Sequence, residues 1–97
     1  MAHVIIATWV AKAEEAEYVA HTLTRIAPEI RAEPKTLEFQ AQRRTDDPLT
    51  FVLYERYPDP SGYADHASTQ LFKDVVIADL IPRLAQREVQ TFTSFAD

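Results

Sequence analysis

FVLYERYPDPSGYADHASTQLF, residues 51–72, is the stretch whose reading decides the fold. With Leu49 and Thr50 its first seven residues form a strand. Phe51, Leu53, Glu55 and Tyr57 share one face, and Thr50, Val52, Tyr54 and Arg56 share the other. Asp59-Pro60 then starts a helix, an Asp cap followed by proline at the first helical position, running to about Ala67. The helix brings His66 back over the strand. Tyr54, Glu55, Arg56, Tyr57, Tyr63 and His66 are thereby gathered into one region, either a site or a corner of a small core.

Working outward, Thr36 to Arg43 also alternates, with Leu37, Phe39 and Ala41 opposed to Glu38, Gln40 and Gln42. The turn cluster Thr45-Asp46-Asp47-Pro48 joins it to the next strand as a hairpin. Before it lies a helix over residues 14–31, with Ala16, Val19, Ala20, Leu23, Ile26, Ala27 and Ile30 in one stripe. Pro28 should kink or restart that helix, and Pro34 ends it. HVIIATWVA, residues 3–11, is a strand apolar on both faces: Val4, Ile6, Thr8 and Val10 on one, His3, Ile5, Ala7 and Trp9 on the other. After Ser68 or Thr69 a helical segment runs over residues 70–81, with Leu71, Phe72, Val75, Val76 and Leu80 apolar, and Pro82 stops it. Residues 88–95 alternate as a last strand.

The order strand, helix, hairpin, helices, strand is the βαββαβ plan of an α+β fold: a four-stranded antiparallel sheet with helices on one face. A first strand with no polar face needs cover on both sides. The helices supply one side. A second copy of the chain, packed sheet to sheet, is expected on the other, giving a homodimer.

Composition narrows the function. The 97 residues make one domain, 1–97, with 46% hydrophobic and 26% charged residues, a globular balance. A net charge of −5, with no basic run longer than Arg43-Arg44, argues against nucleic acid. No apolar run approaches the ~20 residues of a membrane span. The start, MAHVIIATWVAKAEEAE, lacks a basic region and a cleavage pattern, so no signal peptide is expected. Cysteine is absent, which removes disulfides and thiolate chemistry, and a cytoplasmic location is the simplest expectation. The single glycine, Gly62, excludes dinucleotide fingerprints and phosphate loops. His3 and His21 lack partners at metal spacing, and no nucleophile turn surrounds any serine or threonine.

Glu33-Pro34, Leu37-Glu38-Phe39, the run Phe51 to Asp59, His66 and Leu71-Phe72 resemble, in order and spacing, the antibiotic biosynthesis monooxygenase family over nearly the whole chain. The resemblance implies a dimeric α+β barrel of ferredoxin-like subunits, each with a pocket between sheet and helices. It further implies cofactor-independent oxidation of a small aromatic, polyketide or quinol-type substrate by O2, with no cofactor and no metal. Two positions depart from the family pattern: Lys35 stands where a glycine is usual, and Tyr57 where tryptophan is usual. The haem-degrading branch carries a histidine after a Phe-Lys-(Asp/Glu)-x segment. Here Phe72-Lys73-Asp74-Val75 is followed by Val76, which cannot ligate iron.

The candidate catalytic groups are His66, as general base, and Glu55, as its orienting partner or as a structural ion-pair member with Arg56, Arg83 or Arg87. Tyr63, three residues before His66, can share its helix face and is the other candidate for orienting it. Tyr57, Tyr63, Trp9, Phe39 and Phe72 are the expected substrate-binding set. Each has a plain alternative: His66 as a core-edge histidine, the aromatics as packing. A binding module without turnover, or a cofactor-free isomerase of a small hydroxy-ketone, fits the same residues.

Overall fold

The computed structural model describes residues 1–96. Strand β1, His3–Ala11, is apolar on both faces and takes a central place, in the sheet order β2-β3-β1-β4. It pairs antiparallel with β3, Thr50–Tyr57, from His3↔Tyr57 to Val10↔Thr50. On its other side it pairs antiparallel with β4, Leu84–Thr93, and the register shifts between Val10 and Ala11. Edge strand β2, Glu38–Arg43, pairs with β3 through the expected hairpin.

Helix α1, Ala16–Arg31, lays its stripe on the sheet, burying Val19, Leu23, Ile26 and Ile30 against Ala7, Trp9, Phe39, Phe51 and Leu53. The helix does not restart at Pro28. A proline inside a helix costs about 3 kcal/mol. Ile26 and Ile30, flanking it and 1% and 2% exposed, each contribute about 1.5–3 kcal/mol by burial, enough to carry the helix through. A short 3₁₀ turn over Ala13–Glu15 precedes α1, so the α-helix proper begins two residues later than the charge pattern suggested.

Helix α2, Pro60–Ala67, starts where expected: Asp59 is extended, and its Oδ1 accepts a hydrogen bond from the Ser61 N–H at 2.8 Å. The next helical segment, Phe72–Leu80, is π-wound, its last turn closed by the Ile81 N–H on the Val76 carbonyl. It buries Val76 and Leu80 in the core shared with α1. A 3₁₀ turn over Ile81–Arg83 leads into β4, which begins at Leu84, four residues before the alternating pattern does. Residues 84–87 pair with the end of β1, and backbone pairing needs no alternation of side chains.

The helices leave β4 uncovered beyond Leu84. From Ala85 to Thr93 the residues of β4 are exposed, Val89 and Phe92 among them. On the face away from the helices, Val4, Ile6, Val10, Val52 and Tyr54 make an apolar centre with Phe92 beside it. Glu38, Gln40 and Gln42 of β2 and Gln86, Glu88 and Gln90 of β4 flank it. Leu37, expected to share the face of Phe39, precedes β2 and is exposed. No helix among the described residues is long and apolar enough to cross a membrane.

Candidate active site

Strand parity places Glu55 and Tyr57 together, facing the helices beside Leu53, and all three are buried. The Asp59 cap reverses the chain, so α2 returns across β3. Its approach is close because residue 62 is glycine: a Cβ there would lie 2.8 Å from both Cβ and Cδ1 of Tyr57. One turn further, four residues on, the same helix face carries His66 into the interior, where it is 3% exposed.

His66 lies between two carboxylates and is bonded to one of them. Its Nδ1 is 2.7 Å from Oε1 of Glu33. Glu33 stands in the turn after α1, where the Thr36 N–H donates to its carbonyl at 3.0 Å. Nε2 lies 4.0 Å from Oε1 of Glu55, beyond hydrogen-bonding reach. With Glu33 as carboxylate, the assigned tautomer of the neutral ring carries its proton on Nδ1 and leaves Nε2 as a free acceptor. The Tyr57 hydroxyl donates to Glu55 Oε1 at 2.7 Å. The Tyr57 ring stacks at 6.4 Å from the imidazole, Tyr63 is tilted at 6.1 Å, and Phe72 presents an edge at 5.0 Å.

Burial, the largest influence, pushes the Glu55 carboxyl above its ordinary range. The Tyr57 hydroxyl and the nearby His66 and Arg87 pull it back, and Glu33 adds to the rise. Burial and the Glu55 charge raise the Tyr57 hydroxyl far above the usual tyrosine range, so it remains a donor. Tyr63 is raised by the same two causes, burial first.

Two hollows flank the imidazole. The inner one, about 20 Å³, lies between Trp9, Phe39, Glu55, His66, Phe72 and Val76. The outer one, about 60 Å³, is bordered by Glu33, Lys35, Thr36, Gly62, Asp65 and His66. Each is lined by a residue with a buried polar atom that has no hydrogen-bond partner among the described residues: Trp9, through Nε1, on the inner side and Thr36, through Oγ1, on the outer. A larger open groove, about 570 Å³, runs between α1 and β2 and holds none of these groups. Its guanidinium groups are engaged, Arg31 Nε on the Phe39 carbonyl at 3.0 Å and Arg43 on Glu17 at 3.0 Å.

Of the residues singled out in the sequence, His66, Glu55, Trp9, Phe39 and Phe72 meet at the inner hollow. Tyr57 and Tyr63 stand behind it, against the imidazole and Glu55. The group bonded to Nδ1 is Glu33, where the sequence reading looked to Glu55 or Tyr63. Glu33 was visible only as the residue before Pro34, and nothing in its spacing relates it to a histidine 33 positions away. Arg83 is engaged elsewhere, with Glu15 and Asp79. Among the described residues no group of three or more His, Cys, Asp or Glu side chains could hold a metal ion.

The Lys35 departure has a local answer. The turn from Glu33 to Thr36 closes with no positive φ, so no glycine is required. The lysine reaches α2, with Nζ 3.0 Å from Ser61 Oγ and 3.1 Å from Asp65 Oδ2.

The class defined by this fold and site is a ferredoxin-like α+β protein with a buried imidazole set between two carboxylates. The chain belongs to the antibiotic biosynthesis monooxygenase family, whose family model matches residues 1–77. Solved structures agree on the fold. A Nitrosomonas europaea protein, 22% identical, superposes with a TM-score of 0.91 over 98% of this chain and 91% of its own. A crystal structure of an antibiotic biosynthesis monooxygenase, also 22% identical, gives 0.88 over 96% and 98%. A Mycobacterium tuberculosis protein, 16% identical, gives 0.90 over 100% and 98%. No curated protein matches the sequence.

Proposed function

We propose that this chain is a cofactor-independent monooxygenase that oxidises a small, flat, electron-rich phenol or enol with O2, with His66 as its base. One observation carries the reading: a buried imidazole committed through Nδ1 to Glu33 turns an unengaged Nε2 toward Glu55 beside an internal hollow.

In this reaction an acidic O–H or C–H bond of the substrate breaks, its proton passes to Nε2, and the electron pair stays on the substrate. The anion gives one electron to O2. Substrate radical and superoxide join through a new C–O bond, and the proton on Nε2 returns to give a hydroperoxide. Loss of water breaks the O–O bond and the remaining C–H bond at that carbon. The net change is CH2 plus O2 to C=O plus H2O. Glu55 faces the ring that becomes cationic and balances it. Trp9, Phe39 and Phe72 form the walls, and Tyr57 and Tyr63 hold the base in place.

The inner hollow has room for about one water. A substrate ring therefore has to displace Phe72 and Val76, which lie on the π-wound helix. Such helices cluster at functional sites, where their looser winding eases rearrangement. The apolar centre of the open sheet face supports a homodimer joined sheet to sheet. A purely monomeric species at micromolar concentration in analytical ultracentrifugation would reject that part.

The test is oxygen uptake with a panel of anthrones and quinols. Wild-type protein is expected to consume O2, and His66→Ala to lose about 10²–10⁴-fold in rate. Undiminished uptake by the variant removes His66 from the mechanism. Product formed without oxygen supports the isomerase, and a raised Tm without consumption supports a binding module.

A further inference from the structure

We propose that the Trp9 indole N–H is the donor that holds the reacting oxygen of the ligand, and that the inner hollow is built for one hydroxyl group on a flat ring. The inference rests on the same site as the monooxygenase reading and deepens it. Trp9 is 2% exposed, and its Nε1 has no acceptor among the described residues. A buried donor left unpaired is costly, so such a group calls for a partner that the fold itself does not supply. The hollow that Trp9 lines also borders His66, whose Nε2 is an unengaged acceptor, and Glu55.

One donor and one acceptor around a space otherwise bounded by Phe39, Phe72 and Val76 match a single hydroxyl on an apolar frame. The hydroxyl donates its proton toward Nε2 and accepts from Nε1. When the O–H bond breaks, the proton moves to Nε2 and the electron pair stays on oxygen. The indole bond then becomes charge-assisted and strengthens. Trp9 thus favours the anion over the neutral hydroxyl. The ligand class is a phenol or enol, and a hydrocarbon of the same shape should gain nothing from the indole.

Trp9 is the only tryptophan in the chain, so its indole N–H gives a single, assignment-free resonance. The wild-type protein is titrated with p-cresol and with p-xylene, which differ in exchanging a hydroxyl for a methyl group. The expected result is a downfield shift of the indole proton with p-cresol and none comparable with p-xylene. Trp9→Phe is expected to weaken p-cresol about 3- to 10-fold, as loss of one hydrogen bond does, and to leave p-xylene affinity within about 2-fold. An indole resonance unmoved at the solubility limit of p-cresol overturns the proposal, because Nε1 then serves only an internal water. Equal weakening of both ligands overturns it as well, by assigning Trp9 to packing. The wild-type titration stands even if Trp9→Phe folds poorly. No oxygen uptake by the wild-type protein, with the p-cresol shift intact, overturns the monooxygenase reading and leaves the Trp9 donor standing. His66-dependent uptake with no shift overturns the Trp9 donor alone.

Discussion

Two clusters in this molecule share a composition and differ in almost everything else. At one edge, Arg83 lies between Glu15 and Asp79, with its guanidinium 3.8 Å above the Tyr18 ring and the Tyr18 hydroxyl on Asp79 at 2.6 Å. Inside, His66 lies between Glu33 and Glu55, with Tyr57 and Tyr63 against it and the Tyr57 hydroxyl on Glu55. Each is a basic side chain, two carboxylates and tyrosine. The Arg83 cluster is complete: both carboxylates contact the guanidinium, and water screens the whole. The His66 cluster is left open on one side, with a 4.0 Å gap to Glu55 and a neighbouring donor unpaired. A structural cluster closes its own bonds. On the proposed reading, a ligand would supply the bonds that the inner cluster leaves unmade.

The largest effects expected from this contrast are on activity. Glu33→Gln should lower kcat about 10-fold or more with KM little changed, because a carboxamide does not fix the imidazole tautomer as a carboxylate does. The corresponding change at the outer cluster, Glu15→Gln, should leave kcat unchanged. Equal effects of the two on steady-state kinetics would break the comparison.

Next comes packing. Gly62→Ala puts a methyl group 2.8 Å from the Cβ and Cδ1 of Tyr57, which is 0% exposed and lies where β3 and α2 meet. A loss of about 1–3 kcal/mol is expected in urea unfolding. Activity should fall further than stability, since the displaced helix carries His66. A neutral outcome would show that α2 can lift from the sheet without cost.

Glu55→Gln separates stability from function. The folded protein holds the Glu55 proton above the ordinary carboxyl value of 4.5, so between 4.5 and the raised value it binds a proton that the unfolded chain has released. Its contribution is complete below that window, declines as pH rises through it, and stays at the lower level above it. The amide removes the decline and keeps an acceptor for Tyr57. Thermal melts from pH 4 to 8 should therefore show the variant gaining on wild type as pH rises, while oxygen uptake falls. A variant less stable than wild type at pH 7 would mean that the charged form is favoured where it sits.

The smallest effect is expected at Arg83→Gln: unchanged turnover and a slight fall in Tm that disappears in high salt.

Much of the inner site was legible in sequence because local rules determine it. Alternation from Phe51 to Tyr57 put Glu55 and Tyr57 on one face, and Asp59-Pro60 set the start of the helix that carries His66. The double-sided apolar pattern of residues 3–11 called for cover on both faces, but the strand's place inside the order β2-β3-β1-β4 was not read from it. Other features depend on contacts between distant residues. The Glu33–His66 bond joins two turns that no periodicity relates. The π winding of residues 72–80 leaves no mark in a stripe of apolar residues, and neither does the unpaired indole nitrogen of Trp9. That the helix runs through Pro28 without restarting was not legible, because the proline rule is local, whereas the burial of Ile26 and Ile30 that favours continuation is tertiary.

His66 is also the partition between the two hollows, a single ring bordering both, with one nitrogen bonded to Glu33 and the other toward Glu55. On the reading proposed above, charge gained at the inner nitrogen spreads over the whole ring, so Glu33 would steady the imidazolium from outside the hollow in which it forms. The carboxylate that does so never has to share the space the reactant occupies, and the proton would wait on Nε2 until the hydroperoxide takes it back.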